Sequence, residues 1–128
     1  MRDRRLKIFF DGGCRPNPGA METAVVARGV LHHAAGLGHG TSNDAEWLAL
    51  IAALRLAQAL GVAEFELVGD SALVVNQANG VWKCRGADLQ RHHALFEAVR
   101  DGMPVRIRHI RRTQNLAGIA LAKLRWGA

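Results

Sequence analysis

The sequence predicts a single α/β domain, a mixed five-stranded sheet flanked by helices. Three observations carry this expectation. Three short apolar runs, separated by tight turns, precede the first long helical pattern; residues 44–60 then repeat apolar side chains at helical spacing; and two later runs, near 65–68 and 104–110, supply further strands. Strands on both sides of a crossover helix imply α/β topology in which the sheet need not be wholly parallel. A chain of 128 residues suits one domain, spanning 1–128, that buries roughly two thirds of its unfolded surface.

The first strand is expected over Leu6 to Phe10, apolar and aromatic apart from Lys7, stopping where Gly12, Gly13, Pro16 and Pro18 disfavour further pairing. Its end presents Asp11. Residues 21–31, through Ala24-Val25-Val26-Ala27, read as a second strand, and residues 34–40 as a third, with His32 and His33 near the connection. Thr41, Ser42 and Asn43 offer capping oxygens before a helix from Asp44 to Leu60 that Gly61 stops. Its buried stripe is read as Trp47, Leu50, Ile51, Leu54, Ala57 and Leu60, and Glu46 shares a side with Ala49, Leu50 and Ala53. Phe65 to Val68 forms the next strand, leading to Asp70, and residues 71–78 a short helix. Residues 87–100 form another helix, through Leu89, His93, Leu95, Phe96 and Val99; Pro104 to Ile110 is the last strand and Gln114 to Leu124 the last helix.

Charge is unevenly placed. Residues 1–81 carry seven Lys or Arg against eight Asp or Glu, whereas residues 82–128 carry ten against three, so the second half holds the whole formal excess of +6. That pattern suits a polyanionic partner met by a basic surface, with acidic residues reserved for a local metal site. Cys14 and Cys84 lack metal-binding companions, so a reduced, cytoplasmic compartment is expected. No signal peptide or membrane span is expected. Six histidines do not make a zinc site, because His32-His33 and His92-His93 lack partners at structural-zinc spacing.

Asp11 alone reads as a turn former, and Glu46 alone as a first-turn carboxylate favoured by the helix dipole. With Asp70 they form a set: adjacent strand ends and a helix crossing them would bring three carboxylates together, which is costly unless protons or cations compensate. Hard ions select oxygen ligands, so the expected compensator is Mg2+, with Mn2+ as the alternative. The ordered fragments Asp11-Gly12-Gly13, Pro16-Asn17-Pro18-Gly19, Thr41-Ser42-Asn43-Asp44-Ala45-Glu46 and Gly69-Asp70-Ser71 resemble type 1 ribonuclease H over nearly the whole chain. The resemblance implies a ribonuclease H-like fold, with Asp11, Glu46 and Asp70 as catalytic metal ligands, Asp11 bridging.

It also implies an RNA/DNA hybrid as substrate, on which Asn17 contacts a 2′-hydroxyl and Asn43 and Gln77 meet bases or sugar edges; helix capping and an exposed helix contact are the alternative roles of the last two. Trp82, Lys83 and Arg85 match a region that grips the DNA strand, though the extended basic handle of some family members is missing and core packing is an alternative for Trp82. Ser71 would hold a phosphate or cap a helix, and Arg112 belongs to the contacting set, occupying with Arg111 and Thr113 the loop where a proton-transfer histidine is expected. His109 lies too early for that role.

In the register set by Arg112, Asn115, Leu121 and Ala122, Ile119 takes the place of the family's fourth aspartate. Ile cannot bind a cation; the Asn115 amide oxygen, one turn earlier, is a candidate substitute, against a simpler role in fixing the loop. The expected function is metal-dependent endonucleolytic hydrolysis of the RNA strand of the hybrid, attenuated by Ile119, without a covalent protein nucleophile. The alternative is a catalytically inactive hybrid-binding protein. A monomer with no obligate protein partner is expected.

Overall fold

The computed structural model describes residues 4–126. Strands β1 (Leu6–Arg15), β2 (Gly19–Ala27) and β3 (Val30–Ala34) form an antiparallel meander, and a two-residue strand β4 (His39–Gly40) pairs with the start of β2. Helix α1 (Ser42–Leu60) crosses to β5 (Phe65–Gly69), which lies parallel to β1 on its other side. Helices α2 (Ala72–Ala78) and α3 (Ala87–Arg100) precede β6 (Arg106–His109), which is parallel to β5 and forms the sheet edge. A 3-10 turn over Arg112–Gln114 leads into α4 (Leu116–Trp126). The main path is β3-β2-β1-β5-β6, the expected mixed sheet of five strands, with β4 as a small sixth.

Alternation along β1 sorts the two layers. Ile8 and Phe10 join Val25, Leu67 and Ile107 beneath α1, whereas Phe9 packs with Ala24 and Val26 against Ala117 and Leu121 of α4. Trp47, Leu50 and Leu54 of α1 are fully buried, each such side chain contributing about 1.5–3 kcal/mol of transfer free energy. Trp47 also holds α3: its ring stacks on His92 and meets Phe96 edge-on. Local chemistry delimits α1. Thr41 Oγ1 accepts from the Asp44 N–H and the Asp44 carboxylate accepts from the Thr41 N–H, a capping box, while Gly61 closes the helix at φ 66°.

The structure corrects several boundaries. β1 does not stop at Asp11 but runs to Arg15, because β2 goes on pairing with it after the pairing with β5 has ended at Phe9. Gly12 belongs inside the strand: the α1 backbone at Ala45 approaches so closely that a side chain there would collide with it. β2 and β3 meet in a two-residue turn at Arg28 (φ 53°) and Gly29 (φ 75°), so His32 and His33 lie within β3 rather than before it. An arginine at positive φ carries no turn signal. Leu60 was expected in the buried stripe of α1, yet it is 40% exposed; in α3 only Phe96 is fully covered. The last helix starts at Leu116 and not at Gln114, since the 3-10 turn takes the preceding residues.

Candidate functional site

Parallel pairing of β1 with β5 matches Phe9 to Val68, and two residues further on the same register brings Asp11 and Asp70 side by side. Glu46 reaches them from the first turns of α1, where Gly12 lets the helix sit against the strand. The Gly12 N–H donates to Glu46 Oε1 in a short hydrogen bond. Oxygens from the three carboxylates lie within 4.8 Å of one another, the only such cluster of potential metal ligands among the described residues. They line an open cavity of about 560 Å3 shared with Ser42, Asn43, Ser71, Arg112 and Arg125.

Electrostatics make this cluster unstable as three free anions. Glu46 is 7% exposed; burial first, and then the charge of Asp11, pushes its carboxyl up to about 9. Burial also raises Asp11, against the hydrogen bond from Glu46 and the charges of Arg125 and Arg112, which lower it. Without a cation the pair therefore holds a proton between them, carried by Glu46. An oxygen-only donor set, half-buried, whose three carboxylates outnumber the Arg112 and Arg125 that share the cavity, fits a divalent hard cation: Asp11, Glu46 and Asp70 would hold it.

Asp70 is fixed from two sides. Its carboxylate Oδ2 accepts from Asn115 Nδ2 at 2.9 Å, and its carbonyl oxygen lies 3.2 Å from His109 Nε2. Asn115 is completely buried; the same Nδ2 also donates to the Phe10 carbonyl at 3.0 Å, and Oδ1 caps α4 by accepting from the Ala117 N–H at 3.1 Å. This corrects the candidate substitution: the oxygen expected to replace a missing ligand is committed to the helix, and it is the nitrogen that meets the acidic cluster. Ile119 does line the cavity and is 39% exposed, while Gly118 brings the α4 backbone against Asp11 and Asp70.

The expected substrate residues divide into two groups and two exceptions. Asn43, Ser71 and Arg112 line the acidic cavity, Ser71 also capping α2 by accepting from the Val74 N–H at 3.3 Å. Trp82, Lys83 and Arg85 line a second hollow with Leu73 and Leu89; Trp82 is 48% exposed, which removes core packing as its role. Gln77 is a correction: it is 2% exposed, its Oε1 accepts from Trp47 Nε1 at 3.2 Å and its Nε2 donates to the Lys83 carbonyl at 3.2 Å, so it ties the core to the Trp82 segment and has no amide end left for a base. Asn17 is exposed, but its Oδ1 accepts from the Ser42 N–H at 3.1 Å and so fastens the Gly/Pro turn to α1. Arg125 and Gly118 were not anticipated. Their spacing with Leu121 and Ala122 marks one helical face, which is the signal the sequence holds for them.

The chain matches the family model described as reverse transcriptase-like over residues 9–125. It is 36% identical to the ribonuclease HI of Halobacterium salinarum over 127 residues, covering 94% of this chain and 64% of that protein. It is also 36% identical over 101 residues to a bifunctional protein of Mycobacterium tuberculosis, of which it spans 28%. The chain thus spans less than two thirds of the length of the curated relatives it matches. Among solved structures, it superposes on the RNase H1 of Halobacterium salinarum with a TM-score of 0.84 at 32% identity, covering 97% of this chain and 99% of the other. LC11-RNase H1 in complex with an RNA/DNA hybrid follows at 0.80 and 31%, covering 91% and 93%. With the fold, the order of the carboxylates and these relatives in agreement, the chain belongs to the reverse transcriptase-like family and, within it, to the type 1 ribonucleases H.

Proposed function

We propose that this chain hydrolyses the RNA strand of an RNA/DNA hybrid endonucleolytically with Mg2+, or Mn2+ in its place, and that it acts as a monomer. The observation that carries the proposal is the convergence of Asp11, Glu46 and Asp70 in one open cavity. A bound divalent cation supplies an activated water and offsets charge developing on the phosphate. The chain's own residues do the rest. Asp11 and Glu46 give up their shared proton and present oxygens; the Gly12 N–H keeps Glu46 turned inward, and Asn115 keeps Asp70 aimed at the same point. Arg112, Asn43 and Ser71 line the cavity and would meet an RNA strand that crosses it, and Trp82, Lys83 and Arg85 in the second hollow would take the paired DNA strand, by stacking and by phosphate contacts.

Ile119 on the cavity wall favours slow turnover, and at its extreme a protein that binds the hybrid without cutting it. The deciding experiment is cleavage of an end-labelled hybrid by purified protein, with EDTA and Asp11→Asn as controls. Chelatable cleavage that leaves 5′-phosphate and 3′-hydroxyl ends and is lost in Asp11→Asn is expected. Tight binding without cleavage in either metal would move the reading to the inactive binding protein, and wild-type-like cleavage by Asp11→Asn would refute the site.

A further inference from the structure

The cavity that holds the three carboxylates also carries positive charge from the chain itself. Arg125, from the last turn of α4, is no solvated arm. Its Nε donates to Glu22 Oε1 at 2.7 Å, and Glu22 is held in turn by His33 at 3.2 Å. The guanidinium lies against β1 so closely that any side chain at Gly13 would collide with it, and its Nη2 is buried without a hydrogen-bond acceptor among the described residues. Glu22 engages only the Nε edge of the guanidinium, and the charge of Arg125 also acts on Asp11 across the shared cavity, so the acidic centre is the second anion that compensates the buried, unspent Nη2. On the same wall Ile119 presents hydrocarbon where the family resemblance places an aspartate. The α4 side of the centre thus offers a fixed cation and an apolar surface instead of a fourth oxygen ligand.

We propose that Arg125 stands in for a second divalent cation, so that the Asp11, Glu46 and Asp70 centre takes one ion at a time. The inference rests on the metal-dependent reading above. Counted with its partner Glu22, Arg125 belongs to a group of four carboxylates and, with Arg112, two guanidiniums; one divalent ion brings that group to neutrality, and a second would leave it two charges positive in a half-buried cavity.

The test is a Mn2+ titration of the whole protein, followed by electron paramagnetic resonance and calorimetry, in complex with a hybrid whose RNA strand is 2′-O-methylated and cannot be cut. Wild type should saturate at one Mn2+ per chain. Arg125→Gln should bind that ion several-fold more tightly, and Arg125→Gln combined with Ile119→Asp should take two. Glu22→Gln removes the tether but leaves the charge, so it should stay at one. Two ions in wild type would overturn the proposal. So would an Arg125→Gln protein that loses thermal stability as Glu22→Gln does while binding Mn2+ as wild type does, the behaviour of a merely structural arginine. No Mn2+ binding by wild type, or equal binding by Asp11→Asn, would overturn the metal centre itself and the proposal with it.

Discussion

Replacing Asn115 by Ala should destabilise the fold and disable the site together, because one buried amide serves both. Asn115 is fully buried, with Oδ1 on the Ala117 N–H and Nδ2 shared between the Phe10 carbonyl and Asp70 Oδ2. Loss of the cap costs about 1 kcal/mol. Removing a donor from a buried carbonyl costs about 1–3 kcal/mol, and a hydrogen bond to a charged group is worth about 1.5–3 kcal/mol. The three effects share one side chain and do not add in full, so about 3 kcal/mol is the expected loss, or a fall in Tm of roughly 10 °C. Urea unfolding in EDTA, followed by circular dichroism, reads this directly. Asp70, released from its donor, should also lose orientation, and cleavage should fall by about 10- to 100-fold, as for other groups that orient metal ligands. Asn115→Asp sharpens the test, since it keeps the capping oxygen but sets an acceptor against Asp70 Oδ2 and the Phe10 carbonyl. It should be unstable at pH 8 and recover towards pH 5, where a proton restores a donor. A loss below about 1 kcal/mol for Asn115→Ala, or wild-type stability of Asn115→Asp at pH 8, would refute the assignment.

Glu46→Gln should stabilise the metal-free protein at pH 8 while abolishing cleavage: the folded carboxyl is raised to about 9 by burial and then by Asp11, so the stability carried by its proton is full below the unfolded carboxylate range and drains away as pH rises towards 9, a slope that melting curves in EDTA should show for wild type and not for the variant. Glu22 runs the other way, because hydrogen bonds from Arg125 and His33 outweigh the opposing effect of its burial and lower its pKa. Its contribution is present above the unfolded carboxylate range and is lost as pH falls through the folded value, so Glu22→Gln should cost up to about 1 kcal/mol at pH 7 and nothing in acid denaturation at pH 2. Ile119→Asp should raise turnover on a hybrid substrate, measured as single-turnover rate; an unchanged rate would show that this wall position does not limit the reaction. Reversing charge with Lys83→Glu and Arg85→Glu should weaken hybrid binding and flatten its salt dependence, read by anisotropy at two ionic strengths.

Much of this molecule was legible in one dimension because the signals are local. Thr41, Asp44 and Gly61 delimit α1 through contacts within a few residues, and the apolar stripe of Trp47, Leu50 and Leu54 follows from helical period alone. The sequence by itself also determined which carboxylates could matter, since Asp11, Glu46 and Asp70 each sit beside a strand or helix boundary that could be read. What each residue does with its polar atoms was decided only by the tertiary structure. Gln77 was read at the surface and lies in the core, because Trp47, 30 residues earlier, needs an acceptor for its ring nitrogen. Asn115 was credited with an oxygen for the metal, but the partner that engages its amide nitrogen is a carbonyl 105 residues away on β1. Arg125 entered the cavity because α4 packs across β1 and β2, bringing Glu22 and Gly13 beside it. Helix period and capping depend on neighbours along the chain; the choice among several possible hydrogen-bond partners depends on which elements are pressed together once the core has closed.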